Sequence, residues 1–281
     1  MLCRSFFEPR VACLTTERSF ACRGMERRVP ADFLLAFEEG PRYFTHMADV
    51  LVFGPHPDDA EFGMGASMVK FVRSGESVAL CVLCRGESGT FGTAEQRETE
   101  MKNAAEKLGA TLEVLSFRDC QIADTFEARI ELARLIRKHR PRIVFAPYHT
   151  NPGSPKDGTA HPDHMATGNI VRAAVRFSRI GGIQQLEGAP WNVYQLLYYM
   201  VPLSMSPTVV NDVTPFMDEW ERIAQSHESQ MKIQGGAIMQ LLKTIRMAYG
   251  TTKGGGFAEA FLIDGPLPLD LVELARPPKT T

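Results

Sequence analysis

The stretch Val50-Leu51-Val52-Phe53-Gly54-Pro55-His56-Pro57-Asp58-Asp59 constrains this chain more than any other. Val50 to Phe53 are apolar without alternation, the pattern of a strand covered on both faces, as in a parallel sheet. Gly54 and two prolines then break the strand. A histidine and two aspartates follow at once. In open α/β sheets, chemistry collects just past the carboxyl ends of strands.

From Ala48 onward, strand and helix patterns alternate. Residues 49–54, 77–83, 112–117 and 143–146 read as strands, and residues 59–74, 94–108, 126–139 and 163–178 as helices. Gly75, Gly109 and Pro141 stop the first three helices. Gly63 and Gly65 each cost the first helix about 1 kcal/mol of propensity, which implies close backbone packing near the site. This succession of βαβ units predicts an α/β fold, a doubly wound, mostly parallel Rossmann-like sheet with helices on both faces. The pattern weakens beyond residue 180. Residues 193–200 and 208–210 read as strands, 214–229 and 231–247 as helices, and 257–263 as a short apolar piece after a triple-glycine turn. These predict a small C-terminal α+β extension. Residues 1–46 hold three cysteines and many arginines with no sustained period, and are expected to be a loosely ordered extension. A single domain over 47–281 is expected to follow, with its core in 48–178 and a C-terminal part in 179–281.

Apolar content of 44% and a net charge of −2 fit a globular protein and give no electrostatic case for nucleic acid or a membrane surface. No apolar run is long enough to span a bilayer. The six cysteines have no disulfide-scaffold spacing, so they are expected as reduced thiols in a cytoplasmic protein. Cys81 and Cys84 form a lone C-x-x-C. Without a second pair it reads as a buried Cys81 beside an ordinary Cys84 rather than as a zinc or redox pair.

Two H-P-D elements, His56-Pro57-Asp58 and His161-Pro162-Asp163, follow the first and fourth predicted strands. Those strands can be neighbours across a topological switch, which would bring His56, Asp58, Asp59, His161, Asp163 and His164 into one cleft. Two histidines and a carboxylate with an open position make a catalytic zinc site, and an unligated carboxylate can serve as general base. Asp58 and Asp59 are adjacent, so one can bind metal while the other faces the water. The bland alternative is that these are turn residues and that Asp59 caps a helix. For Arg85, Glu87 and Arg97 it is a solvated loop and helix face.

The chain resembles the LmbE-like, or PIG-L-type, N-acetylglucosaminyl deacetylases. The resemblance covers about 48–178. It rests on Gly54-Pro55-His56-Pro57-Asp58-Asp59-Ala60-Glu61, on Arg85-Gly86-Glu87-Ser88-Gly89-Thr90-Phe91-Gly92-Thr93 with Arg97 and Glu100, and on His161-Pro162-Asp163-His164. A weaker match lies at Phe257-Ala258-Glu259-Ala260-Phe261. The loop and tail look most like the bacillithiol-pathway branch, which deacetylates N-acetylglucosaminyl malate. The resemblance implies that His56, Asp59 and His164 bind zinc and that Asp58 is the base. It implies that His161, protonated and oriented by Asp163, stabilises the oxyanion, and that Arg97 and Asp119 grip sugar hydroxyls. Ferrous iron tolerates the same ligands.

The expected partner is a small N-acetylated amino-sugar substrate, and the expected assembly a homo-oligomer. Two departures stand out: the 46 extra N-terminal residues, and the insertion 151–160 beside the cleft. Two other readings stay open, an amidase on thiol-sugar conjugates and a non-catalytic sugar-binding module. A nucleotide-binding version of that module is disfavoured because no G-x-G-x-x-G opens the first helix.

Overall fold

The computed structural model describes residues 48–154 and 158–267. The expected extension over 1–46, with Cys3, Cys13 and Cys22, lies outside them. Five strands form one parallel sheet in the order β3-β2-β1-β4-β5: β1 (Val50–Gly54), β2 (Val78–Val82), β3 (Thr111–Val114), β4 (Ile143–Pro147) and β5 (Gln195–Tyr199). Because side chains alternate along a strand, one run feeds two cores. Leu51, Phe53, Ala79 and Cys81 pack under α3 (Phe126–His139) and α4 (Pro162–Ser178). Val50, Val52, Leu80 and Val82 pack under α1 (Asp59–Arg73) and α2 (Ala94–Leu108). Burial on both faces is why β1 and β2 read as unbroken apolar runs. The sheet is doubly wound, as the βαβ succession predicts, and β1 lies beside β4 at the switch.

The C-terminal part differs from its sequence reading. The expected strand at 208–210 is β6 (Val209–Asp212), which pairs antiparallel with β7 (Ala258–Phe261) in a separate ribbon. A bridge between Tyr198 and Leu262 ties that ribbon to β5. The expected helix 214–229 is shorter. A 3₁₀ turn precedes α5 (Met217–Ala224), and the helix ends there. The expected helix 231–247 starts late, as α6 (Ile238–Gly250), because Gln234 and Gly235 are left-handed and interrupt the preceding 3₁₀ segment. The expected strand 112–117 also ends early, at Val114.

Helix α1 is broken at Met64 (φ −147°, ψ 21°), and the C-terminal part repairs the break. The Glu259 carboxylate accepts from the Ala66 and Ser67 amides at 3.1 and 2.7 Å. On the other side of the break, Trp220 Nε1 donates to the Glu61 carbonyl and Arg246 Nη2 to the Phe62 carbonyl, both at 2.8 Å. Arg246 also bonds Glu259 at 2.9 and 2.5 Å and lies 3.9 Å over the Trp220 ring. The two glycines of this helix fit that packing. A Cβ at Gly63 would lie 2.4 Å from Tyr199, and one at Gly65 2.6 Å from Trp220. The tail residue Glu259 thus caps the second half of the helix whose first turn carries Asp59.

Candidate active site at the carboxyl ends of the strands

Each cluster of polar residues is delivered by a strand that stops. After β1 the chain turns through His56 to Asp58, whose backbone is left-handed (φ 129°), a costly conformation for a residue with a Cβ. That turn aims both aspartates into the cleft. Asp58 is the helix N-cap by position, yet its side chain makes no capping bond. The Asp59 carboxylate accepts from the His56 amide at 2.9 Å and faces two imidazoles. Its Oδ2 is 3.0 Å from His56 Nδ1 and its Oδ1 is 3.1 Å from His164 Nε2. The capping alternative therefore fails for both residues. Asp119 follows β3, and the loop after β4 supplies His161 at the N-cap of α4, with Asp163 and His164 in its first turn. The sheet brings all six H-P-D residues together. The three imidazoles form a triangle, with centroids 4.8 Å apart for His56–His161, 5.4 Å for His56–His164 and 5.3 Å for His161–His164.

The far nitrogen of His56 meets two of the expected site residues. Its Nε2 lies 3.2 Å from Asp119 Oδ1 and 3.2 Å from Asp163 Oδ2. The Asp163 carboxylate therefore sits on His56, and its Oδ2 also accepts from the Cys120 amide at 2.7 Å. Asp119 is buried, held by the Ser88 amide at 2.9 Å, and steadies His56. Its own amide donates to Glu87 at 2.9 Å, which gives that loop glutamate a structural use. Carboxylates behind a ligating histidine fix its tautomer and raise its basicity. The sequence could not show this, because Asp119 belongs to no motif shared with His56.

Arg97 is 5% exposed, so the solvated-face alternative fails for it. Its Nη1 donates to the Gly86 carbonyl at 3.1 Å and its Nη2 to the Pro57 carbonyl at 3.0 Å, while Nη2 lies 3.5 Å from Asp58 Oδ1. The glycine loop is moulded on this guanidinium: a Cβ at Gly86 (φ +68°) would meet Arg97 Nη1 at 2.2 Å. Arg97 thus clamps the loop to the H-P-D turn. Arg85 keeps its bland reading, pairing with Glu95 and Glu98 on the solvent side.

The electrostatics follow from burial and crowding. Burial, with Asp59 beside it, pushes the Asp58 carboxyl up to about 7, although Arg97 pulls the other way. Burial also opposes ionisation of Asp59, but His164 and His56 outweigh it and hold that carboxyl well below its usual range. For His56 burial alone would lower the pKa; the Asp59, Asp119 and Asp163 carboxylates reverse this and raise it far above 6.5. Burial and the neighbouring His56 and His164 lower the pKa of His161. That direction works against the protonated form that the resemblance implies. The Asp163 amide donates to His161 Nδ1 at 3.2 Å, so Nδ1 is the acceptor and the proton sits on Nε2. Cys81 is buried as expected. Cys84 is also buried, within 4.8 Å of His56 and Asp119, and burial pushes its thiol up to about 12.

Two further residues escape sequence reading. His227 is fully buried 3.3 Å from Glu61. Glu100 accepts from the Ser229 amide and hydroxyl at 2.8 and 2.6 Å, tying α2 to the C-terminal part. His227 and Ser229 are isolated in sequence, with no motif to reveal them. A cavity of about 350 Å³ opens from Asp58, Asp59 and His164 toward the C-terminal part. Gly158 and Thr159 line it, so the 151–160 insertion borders the cleft as expected. Among the described residues no helix is long and apolar enough to cross a membrane.

Residues 51–175 match the family model described as PIG-L, GlcNAc-PI de-N-acetylase. The diacetylchitobiose deacetylase of Thermococcus kodakarensis is 31% identical over 229 residues, covering 77% of this chain and 83% of that protein. A probable N-acetyl-α-D-glucosaminyl L-malate deacetylase of Bacillus anthracis is 32% identical over 141 residues, covering 45% of this chain and 58% of that one. The crystal structure of a conserved protein of Thermus thermophilus superposes with a TM-score of 0.70 at 33% identity, covering 83% of this chain and 99% of that one. With the H-P-D residues converging at the strand ends and relatives that are deacetylases along most of its length, the chain belongs to the PIG-L, or LmbE-like, deacetylase family and is a hydrolase of N-acetyl amides.

Proposed function

We propose that this protein is a metal-dependent deacetylase of an N-acetylglucosaminyl substrate, with His56, Asp59 and His164 as metal ligands and Asp58 as general base. The observation that carries the reading is the Asp59 carboxylate, which presents one oxygen to His56 Nδ1 and the other to His164 Nε2. The donor set fits a divalent cation. Both ring nitrogens of His56 face only carboxylates, so the ring must carry an extra proton or have that charge supplied by a metal. His164 Nδ1 is buried without a partner. Imidazole with carboxylate suits zinc, our choice, and also ferrous iron. When bound, such an ion supplies Lewis-acid polarisation of the amide carbonyl and makes its water more acidic.

The chain's own residues do the rest. Asp58, buried with a raised pKa, takes the proton of the attacking water and returns it to the leaving amine. Neutral His161 donates Nε2–H to the carbonyl oxygen as charge develops there. Asp119 and Asp163 keep His56 in one orientation, and Arg97 locks the loop against the turn that carries Asp58. The products are acetate and a free glucosamine.

The relatives support two aglycones: a second amino sugar, as in diacetylchitobiose, and malate, as in the bacillithiol pathway. The longer coverage of the chitobiose enzyme favours the first. We place residues 47–281 in a single catalytic domain and 1–46 in an extension outside it. The test is a panel of N-acetylglucosaminides with different aglycones, read by free amine with metal-loaded protein. Release of amine from none of them, with no metal bound, would leave a sugar-binding module with structural H-P-D turns as the reading.

A further inference from the structure

The cavity beside Asp58, Asp59 and His164 changes character abruptly. Leu203, Ile233, Ile238, Leu241, Leu242 and Ile245 make up much of its C-terminal wall. Away from the reacting end, the polar side chains among its described residues have little to offer a sugar. Arg246 and Glu259 are spent on each other and on the α1 backbone. Thr159 and Tyr249 have partners, and Gln234 sits at an exposed rim. A sugar ring buried here would leave hydroxyls unpaired, which costs free energy. A hydrocarbon would lose nothing. An amide held for hydrolysis has two sides, its acyl carbon chain and its amine. Phe62, one turn of α1 beyond Asp59, lines the cavity together with Asp58, Asp59 and His164, so the apolar wall suits the side that is hydrocarbon from the carbonyl onward.

We propose that this cavity takes the hydrocarbon tail of an N-acyl group longer than acetyl, with the amino sugar toward the polar mouth. The enzyme then removes medium-chain acyl groups as well as acetyl. Water adds across the same C–N bond, giving a fatty acid in place of acetate and the same free amine. This rests on the hydrolase reading above, so the test has an arm that needs no turnover. The rate arm uses metal-loaded full-length protein with N-acetyl, N-butanoyl, N-hexanoyl and N-octanoyl glucosamine, and with octyl N-acetylglucosaminide. The binding arm titrates octanoate and acetate by calorimetry. Each arm is repeated with Leu241→Glu, which places a charge on a wall position that is 38% exposed.

The expected result is kcat/KM rising up to about fourfold per methylene, the equivalent of about 0.8 kcal/mol per buried CH₂. Octanoate binds more tightly than acetate, and Leu241→Glu abolishes both preferences. A fall in rate beyond acetyl, with equal binding of octanoate and acetate, overturns the proposal. So does a gain confined to the octyl glycoside, which assigns the cavity to an aglycone. A lower mass for Leu241→Glu in sedimentation, with unchanged chain preference, assigns it to contact between copies and also overturns it. If no amide is cleaved, the hydrolase reading fails, and the octanoate titration alone decides the cavity.

Discussion

The two walls of the cleft are built in opposite ways. The wall from residues 54–164 packs four aspartates and three histidines at strand ends, each within two residues of a turn or a helix start. The wall from residues 200–260 contributes aliphatic side chains and one ion pair that never meets the reacting groups. The first wall does chemistry, and its members depend on one another by direct contact. The second does shape and support, acting through the backbone of α1. Damage to the first should remove metal or rate while sparing stability, and damage to the second should do the reverse.

The largest break expected in this comparison is His164→Ala, which deletes one ring on the Asp59 carboxylate. It should abolish bound metal by elemental analysis, and turnover with it, at an unchanged melting temperature. Glu259→Ala tests the other wall. Removing one partner of a buried ion pair costs about 3–5 kcal/mol, and two amides of α1 lose their cap as well. Urea unfolding should show a loss of that size, with one metal per folded chain retained. A metal-free but fully stable Glu259→Ala protein would erase the distinction between the walls.

How much of this is legible in sequence follows the same divide. The β1–α1 and β4–α4 units can be read because their signals are local: apolar runs, glycine and proline stops, and H-P-D at both ends. The convergence of His56 with His164 follows from topology alone. The partners of His56 are not legible. Asp119 and Asp163 reach it only through the β3-β2-β1 stacking and the start of α4, whereas the sequence reading puts Asp163 on His161. Arg97 reads as a sugar contact because nothing local shows that a guanidinium fills the space inside a glycine loop. The C-terminal helices read too long because amphipathic spacing runs through Gln234-Gly235-Gly236, where left-handed backbone breaks the helix. Glu259 stands out only as part of a weak tail match. Its use depends on a kink 195 positions earlier, at Met64.

Arg97→Lys sharpens the boundary between the walls. A lysine keeps the charge but cannot donate to both Gly86 and Pro57 from a planar fork. A fall in kcat/KM of roughly tenfold, about 1.4 kcal/mol, is expected with metal retained. Loss of metal would instead place Arg97 in the support of Asp59. The smallest effect is expected from a chain starting at Met47, which should keep its turnover within about twofold; loss of soluble protein would show that residues 1–46 belong to the folded unit.

The central claim is that adjacent aspartates do separate jobs, Asp59 holding the metal and Asp58 moving the proton. Metal stoichiometry and kcat for Asp58→Asn and Asp59→Asn, measured side by side, test it most directly. The account predicts that Asp58→Asn keeps one metal per chain and loses about 10²–10⁴ in kcat, the usual size of a general-base contribution, while Asp59→Asn binds metal poorly. Metal lost from Asp58→Asn and kept by Asp59→Asn would reverse the assignment, and near-normal kcat in both would contradict the mechanism.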